Sequence, residues 1–160
     1  MKKLALILLA LSSTANAGWF ADVSYCGAGH GTFKTANSVD ETATNASYRV
    51  GYALGSLNAY FSHTSEVQTA DKGANILATS YRYEDRSGVF LEAGVGIGMG
   101  QKWAGEPNRH ESTSLEPHAD LRAGIELPAG GDFTFQVLYH QVKSNTNEYS
   151  SAGVGLRKEF

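Results

Sequence analysis

Between Val89 and Met99 the odd positions are all apolar: Val89, Leu91, Ala93, Val95, Ile97 and Met99. The even positions read Phe90, Glu92, Gly94, Gly96 and Gly98. From Leu115 to Leu127 the rule repeats, with Leu115, Pro117, Ala119, Leu121, Ala123, Ile125 and Leu127 set against Glu116, His118, Asp120, Arg122, Gly124 and Glu126. Successive side chains of a strand point to opposite faces, so each segment predicts a strand with one apolar and one charged face. The same period recurs in six more places. The predicted strands run about 19–28, 46–54, 57–64, 74–84, 89–100, 114–127, 133–142 and 148–160. The fourth is the least regular, with Leu77, Thr79, Tyr81 and Tyr83 against Ala78, Ser80 and Arg82.

The connections alternate in length. Gly55-Ser56, Asp85-Arg86-Ser87-Gly88 and Pro128-Ala129-Gly130-Gly131-Asp132 are short turns built from residues that favour turns. The other connections are longer and polar. An even strand number, short turns at one end and longer loops at the other are the marks of a transmembrane barrel. An open sheet edge in hydrocarbon would leave N–H and C=O groups with no partner, and closure removes that cost. Trp19, Tyr83, Phe133 and Phe160 fall at the turn ends of the strands, and Tyr25, Tyr48 and Tyr139 at the loop ends, where interfacial belts would lie. The expected fold is therefore all-β, an eight-stranded antiparallel up-and-down transmembrane β-barrel. The alternative is a water-soluble barrel or sandwich exported to the periplasm, whose outward residues would be polar.

The start of the chain changes the picture. Met1-Lys2-Lys3, the apolar run Leu4–Leu11 and Ala15-Asn16-Ala17 have the form of a secretion signal cleaved before Gly18. The apolar run is too short for a spanning helix; an uncleaved anchor is the other reading. Cys26 follows Val23-Ser24-Tyr25, not a small-residue lipobox, which argues against a lipid anchor. The expected organisation is a signal peptide over 1–17 and a barrel over 18–160, located in a bacterial outer membrane. Removing 17 residues from 160 leaves 143, enough for one domain. The remainder has 11 basic against 16 acidic residues, a formal charge of −5, which argues against nucleic acid as a partner. A single cysteine rules out an internal disulfide and a disulfide-rich toxin or inhibitor.

The inward set is the main candidate for chemistry. It comprises Asp22, Arg49, Tyr60, Arg82, Glu92, Glu116, His118, Asp120, Arg122, Glu126, Arg157 and Glu159. The bore of an eight-stranded barrel is just wide enough for side chains to fill. Charges of both signs enclosed there are expected to pair, since a lone buried charge is costly. Arg49, Arg82, Glu92, Glu116, Asp120, Arg122, Glu126 and Arg157 are the predicted structural charge network, with Glu92 and Arg122 in one cluster. Gly94, Gly96, Gly98 and Gly100 would leave room for long Arg or Glu side chains from across the barrel. The competing reading of the same residues is a proton- or ion-conducting pore.

Other features add less. His30, His63, His110, His118 and His140 show no metal-ligand spacing, and a His30–His110 loop pair is the one arrangement left open. No metal and no cofactor are expected. Gly94-x-Gly96-x-Gly98 has no helix after it and implies no phosphate site. Asn45-Ala46-Ser47 is a sequon that a bacterial barrel would not use. The loops at about 29–45 and 101–114 are polar, the second carrying Lys102, Trp103, Glu106, Arg109, His110 and Glu111. Loops on a rigid barrel are where surface ligands would bind.

The ending Gly153-Val154-Gly155-Leu156-Arg157-Lys158-Glu159-Phe160 resembles the C-terminal recognition signal of outer-membrane barrels, with Lys158 standing where that signal has an apolar or aromatic residue. The resemblance implies the barrel-assembly machinery as a partner during insertion. In pattern and length the mature chain looks like the small eight-stranded group of the OmpA transmembrane domain, OmpX and Ail-like proteins. This implies a non-enzymatic protein among outer-membrane lipids and lipopolysaccharide, serving envelope integrity or surface interaction. Phe90-Leu91-Glu92-Ala93-Gly94-Val95-Gly96, with Tyr139-His140 and Ser144-Asn145, is similar to the lipid A 3-O-deacylase (PagL) family. That resemblance implies an esterase with His140 as base, Ser144 as nucleophile and Glu148 orienting the histidine. In an unbroken strand, positions four apart lie about 13 Å apart, so His140 and Ser144 meet only if the chain bends after Gln141. Without that bend His140 is a polar lining residue near the barrel mouth.

Overall fold

The computed structural model describes residues 17–34, 39–42, 45–67, 72–103 and 110–160. Residues 1–16 of the signal segment and the loop residues Glu106 and Arg109 lie outside the described residues, as do the side chains of Lys102, Trp103, His110 and Glu111. Among the described residues ten strands are present: β1 (Ala17–Lys34), β2 (Val39–Thr42), β3 (Asn45–Leu54), β4 (Leu57–Glu66), β5 (Lys72–Glu84), β6 (Val89–Trp103), β7 (His110–Ser112), β8 (Glu116–Gly130), β9 (Phe133–Lys143) and β10 (Asn147–Glu159). Eight of them form the wall in the order β10-β9-β8-β6-β5-β4-β3-β1, every pairing antiparallel. β1 and β10 then pair from Phe20↔Glu159 to Phe33↔Asn147, which closes the barrel.

The two short strands are additions to the eight foreseen. β2 folds back on the end of β1, and β7 on the end of β6, so the first and third loops begin as hairpin extensions of the wall. Their absence from the sequence reading has a physical cause. Val39-Asp40-Glu41-Thr42 and His110-Glu111-Ser112 are four and three residues long and lack the apolar–polar alternation that reveals a strand. Gly55, at φ 61°, takes the left-handed conformation that the two-residue turn between β3 and β4 requires.

Register fixes which side chains face out. Tyr48, Val50, Tyr52 and Leu54 of β3 are exposed, whereas Ser47, Arg49 and Gly51 between them are buried. The same inversion runs round the wall: Val95 and Leu77 are 68% and 62% exposed, and Arg49 and Arg122 are each 1% exposed. A soluble protein seldom exposes a contiguous apolar patch beyond a few hundred Å². Here the apolar face encircles the molecule. Trp19, Tyr83, Phe133 and Phe160 are exposed at the turn end, and Tyr25, Tyr48 and Tyr139 toward the loop end. Trp19 also packs edge-on against Tyr52, ring centroids 5.5 Å apart.

Candidate functional site: the charged interior

Asp22 on β1 and Arg49 on β3 are opposed in register and both point inward. Arg49 presents its guanidinium fork to Asp22, with Nη2–Oδ2 at 2.7 Å and Nε–Oδ2 at 3.0 Å. Its other edge meets Glu92 of β6, Nη1–Oε1 at 2.8 Å and Nη2–Oε2 at 3.1 Å. Arg122 of β8 donates to both oxygens of Asp22 at 3.1 Å. Glu92 accepts further hydrogen bonds from Ser80 at 2.5 Å and Asn58 at 3.3 Å. Arg82 bridges Glu92, at 3.4 Å, to Glu126, at 2.6 Å. Gln136 completes the ring, donating to Glu126 at 2.5 Å and accepting from Arg122 at 3.4 Å.

Aromatic faces support the cations. Arg82 lies 4.0 Å from the Phe90 centroid, Arg157 4.1 Å from Phe20, and Arg49 4.8 Å from Tyr60. Arg157 pairs with the rim residue Glu159 at 3.0 Å and approaches Asp22 at 3.8 Å. Charged hydrogen bonds of this kind are the strong ones, and their planar fork geometry holds the partners in one arrangement.

Six of the eight predicted network residues, Arg49, Arg82, Glu92, Arg122, Glu126 and Arg157, lie in or against this ring. Glu92 and Arg122 face each other across the β6–β8 ladder. They nevertheless connect through Asp22 and Arg49, not to each other. Glu116 and Asp120 lie elsewhere, nearer the loop end. Asp120 accepts from Tyr60 Oη at 2.8 Å and from His140 Nε2 at 3.0 Å. Glu116 accepts from Ser144 Oγ at 2.8 Å and also from Thr146. His118 donates through Nδ1 to the Glu116 carbonyl at 3.1 Å. The space at Gly94 is taken by Tyr60, whose hydroxyl would lie 2.8 Å from an added Cβ, and not by an Arg or Glu.

Asp22 is the hub that sequence reasoning placed on the inward face without assigning it a network role. Its importance comes from barrel closure, which brings Asp22 of β1 within reach of Arg122, 100 residues along the chain, and of Arg157 on β10. Gln136, Ser80 and Asn58 are neutral links that a search for charges passes over.

The residues considered for ester hydrolysis have separate partners. His140 bonds Asp120, Ser144 bonds Glu116, and Glu148 pairs with Lys143 at 3.1 Å on the exposed rim. β9 stays in register through His140 to Lys143 with no bulge, so the bend that would bring His140 to Ser144 is absent, and no hydrogen bond joins them. His140 is buried and inward-facing. Among the described residues no group of three or more His, Cys, Asp or Glu could hold a metal ion. At the turn-side mouth a cavity of about 940 Å³ opens outward, ringed by Glu84, Glu126, Asp132 and Glu159.

A closed eight-stranded antiparallel wall, apolar outside and ionic inside, is the fold of the small outer-membrane barrels. The chain is similar to Neisserial surface protein A, NspA, with a TM-score of 0.62 and 12% identity over 91% of this chain and 99% of that one. It is also similar to the N-terminal β-barrel domain of OprF from Pseudomonas aeruginosa, with a TM-score of 0.57 and 12% identity over 89% of this chain and 98% of that one. At such identity the likeness is one of fold. No protein-family model matches the chain, and no curated protein matches it in sequence.

Proposed function

We propose that this chain is an integral barrel protein of a bacterial outer membrane that acts without catalysis. On this reading it contributes to envelope integrity and offers its loops to surface ligands. One observation carries the reading: the encircling apolar face is exposed while the charges turn inward and compensate one another. Hydrocarbon is the solvent that makes such a face favourable. The paired interior supports a structural plug over a conducting pore, since its guanidiniums and carboxylates are bound to each other. Its partners on this reading are outer-membrane lipids, lipopolysaccharide at the outer leaflet and the assembly machinery during insertion. The signal peptide would be removed between Ala17 and Gly18.

The test is fractionation of cells expressing the chain, combined with gel mobility before and after heating. The protein should appear in the outer-membrane fraction, starting at Gly18, with a heat-dependent mobility shift. Recovery as a soluble periplasmic protein would overturn the proposal. Mass spectrometry of lipid A from cells with and without the protein should give the same acyl pattern. Loss of an acyl chain that depends on His140 or Ser144 would replace the non-enzymatic reading with the esterase.

A further inference from the structure

The outward positions of the wall carry no Asp, Glu, Lys or Arg between the two rims, with one exception at the turn end, Lys158. Lys158 lies on β10, on the same face as Leu156 and Phe160, opposite Ala21 of β1 and Phe133 of β9. Its Nζ sits 4.9 Å from the Phe133 centroid and 4.8 Å from the Phe160 centroid. Among the described residues no carboxylate lies within 4.0 Å of this ammonium. Its chain neighbours Arg157 and Glu159 pair with each other instead, at 3.0 Å. The outward lysine of the opposite rim, Lys143, has Glu148 as its counter-ion.

The two ring faces attract the ammonium, and its charge still has no carboxylate partner. A lysine on an apolar wall lays its stem along that wall and turns its amine to the polar boundary. The boundary at this end of the barrel is a layer of lipid headgroups, and the missing counter-ion has the charge of a phosphodiester. We propose that Lys158, with Phe133 and Phe160, forms a subsite for the phosphate of a glycerophospholipid in the leaflet at the turn side. The acyl chains would lie along Leu156 and Phe135, both exposed on the same wall. The occupant is a lipid and not a free anion because everything beside the ammonium on this face is apolar, and a hydrated phosphate gains nothing from it. The subsite gives the departure at Lys158 from the C-terminal pattern a purpose. It rests on the membrane reading above.

Native mass spectrometry of the full mature chain, in micelles doped with dioleoylphosphatidylglycerol, tests the subsite. The wild type should retain a lipid whose occupancy falls roughly fivefold in Lys158→Gln, the effect of one lysine near an anionic surface. Lys158→Arg should keep it, Phe133→Leu should weaken it, and Lys143→Gln should leave it unchanged. Excess inorganic phosphate should not displace it. Equal lipid occupancy in wild type and Lys158→Gln, both heat-modifiable and inserted in vesicles, would overturn the subsite and leave the membrane reading standing. So would displacement by inorganic phosphate, or a Lys158→Gln defect in assembly with unchanged lipid occupancy. A wild-type chain that does not insert in vesicles at all would remove both.

Discussion

The two halves of the barrel interior are built differently. Toward the short turns lie all four guanidiniums buried among the described residues, Arg49, Arg82, Arg122 and Arg157, with Asp22, Glu92 and Glu126 between them. Toward the loops the filling changes to Ile76, Ala74, Val142 and Tyr149, with hydroxyl pairs such as Ser24–Ser47 at 2.7 Å and the Tyr60–Asp120–His140 chain. The turn half is held by charges that cannot be removed singly, because each shares its partners. The loop half is held mainly by packing, with isolated groups such as the Lys72–Glu66 ion pair at 3.3 Å and the hydrogen bonds to Asp120 and Glu116, which form no continuous ring. Ionic order at one end fixes how distant strands meet, and the other end is filled to match.

Substitutions can break that contrast. The largest effect is expected at Asp22→Ala, which leaves Arg122 buried with only the neutral Gln136 and Arg49 with Glu92 alone; breaking such a pair costs about 3–5 kcal/mol. Urea unfolding in detergent micelles, followed by gel mobility, would measure it. Glu92→Ala should cost less, about 1.5–3 kcal/mol, since Arg49 keeps Asp22 and Arg82 keeps Glu126. An unchanged heat resistance for this variant would contradict the shared network. In the loop half, Ile76→Val should cost only about 0.5–1.5 kcal/mol by the same assay. If it destabilised the barrel more than Asp22→Ala did, the contrast would be reversed.

The smallest effect lies outside the wall. The Ser87 hydroxyl, 2.6 Å away, and the Ser87 and Val89 amides donate to Asp85 in the β5–β6 turn, and these bonds hold its carboxyl below the ordinary carboxylate value. A depressed folded value means that the turn is favoured above the unfolded-state value and loses that support as pH falls through the folded one. Ser87→Ala should raise the Asp85 midpoint in an NMR titration and barely alter stability, because the group is fully exposed.

Much of the fold was legible because one signal repeats. Leu91 faces out and Glu92 faces in for the same reason that Val50 and Arg49 do: adjacent residues in a strand cannot share a face. The candidate site was legible in part. The inward face of Arg49, Glu92 and Arg122 followed from parity, but their partners did not. Glu92 and Arg122 are direct neighbours across a ladder and still bind through Asp22, because a guanidinium reaches across the bore as readily as to the next strand. His140 and Ser144 show the same limit, since nearness in sequence gave them no shared bond once β9 ran straight past Gln141.

The sequence by itself determined the eight wall strands, their short turns and the sorting of side chains into two faces, because these depend on neighbours along the chain and a period of two. Only the tertiary structure decided the register in which β1 meets β10, the place of Asp22 between two arginines and the fit of Tyr60 against Gly94. Those depend on how far the wall curves before it closes, which no local pattern encodes.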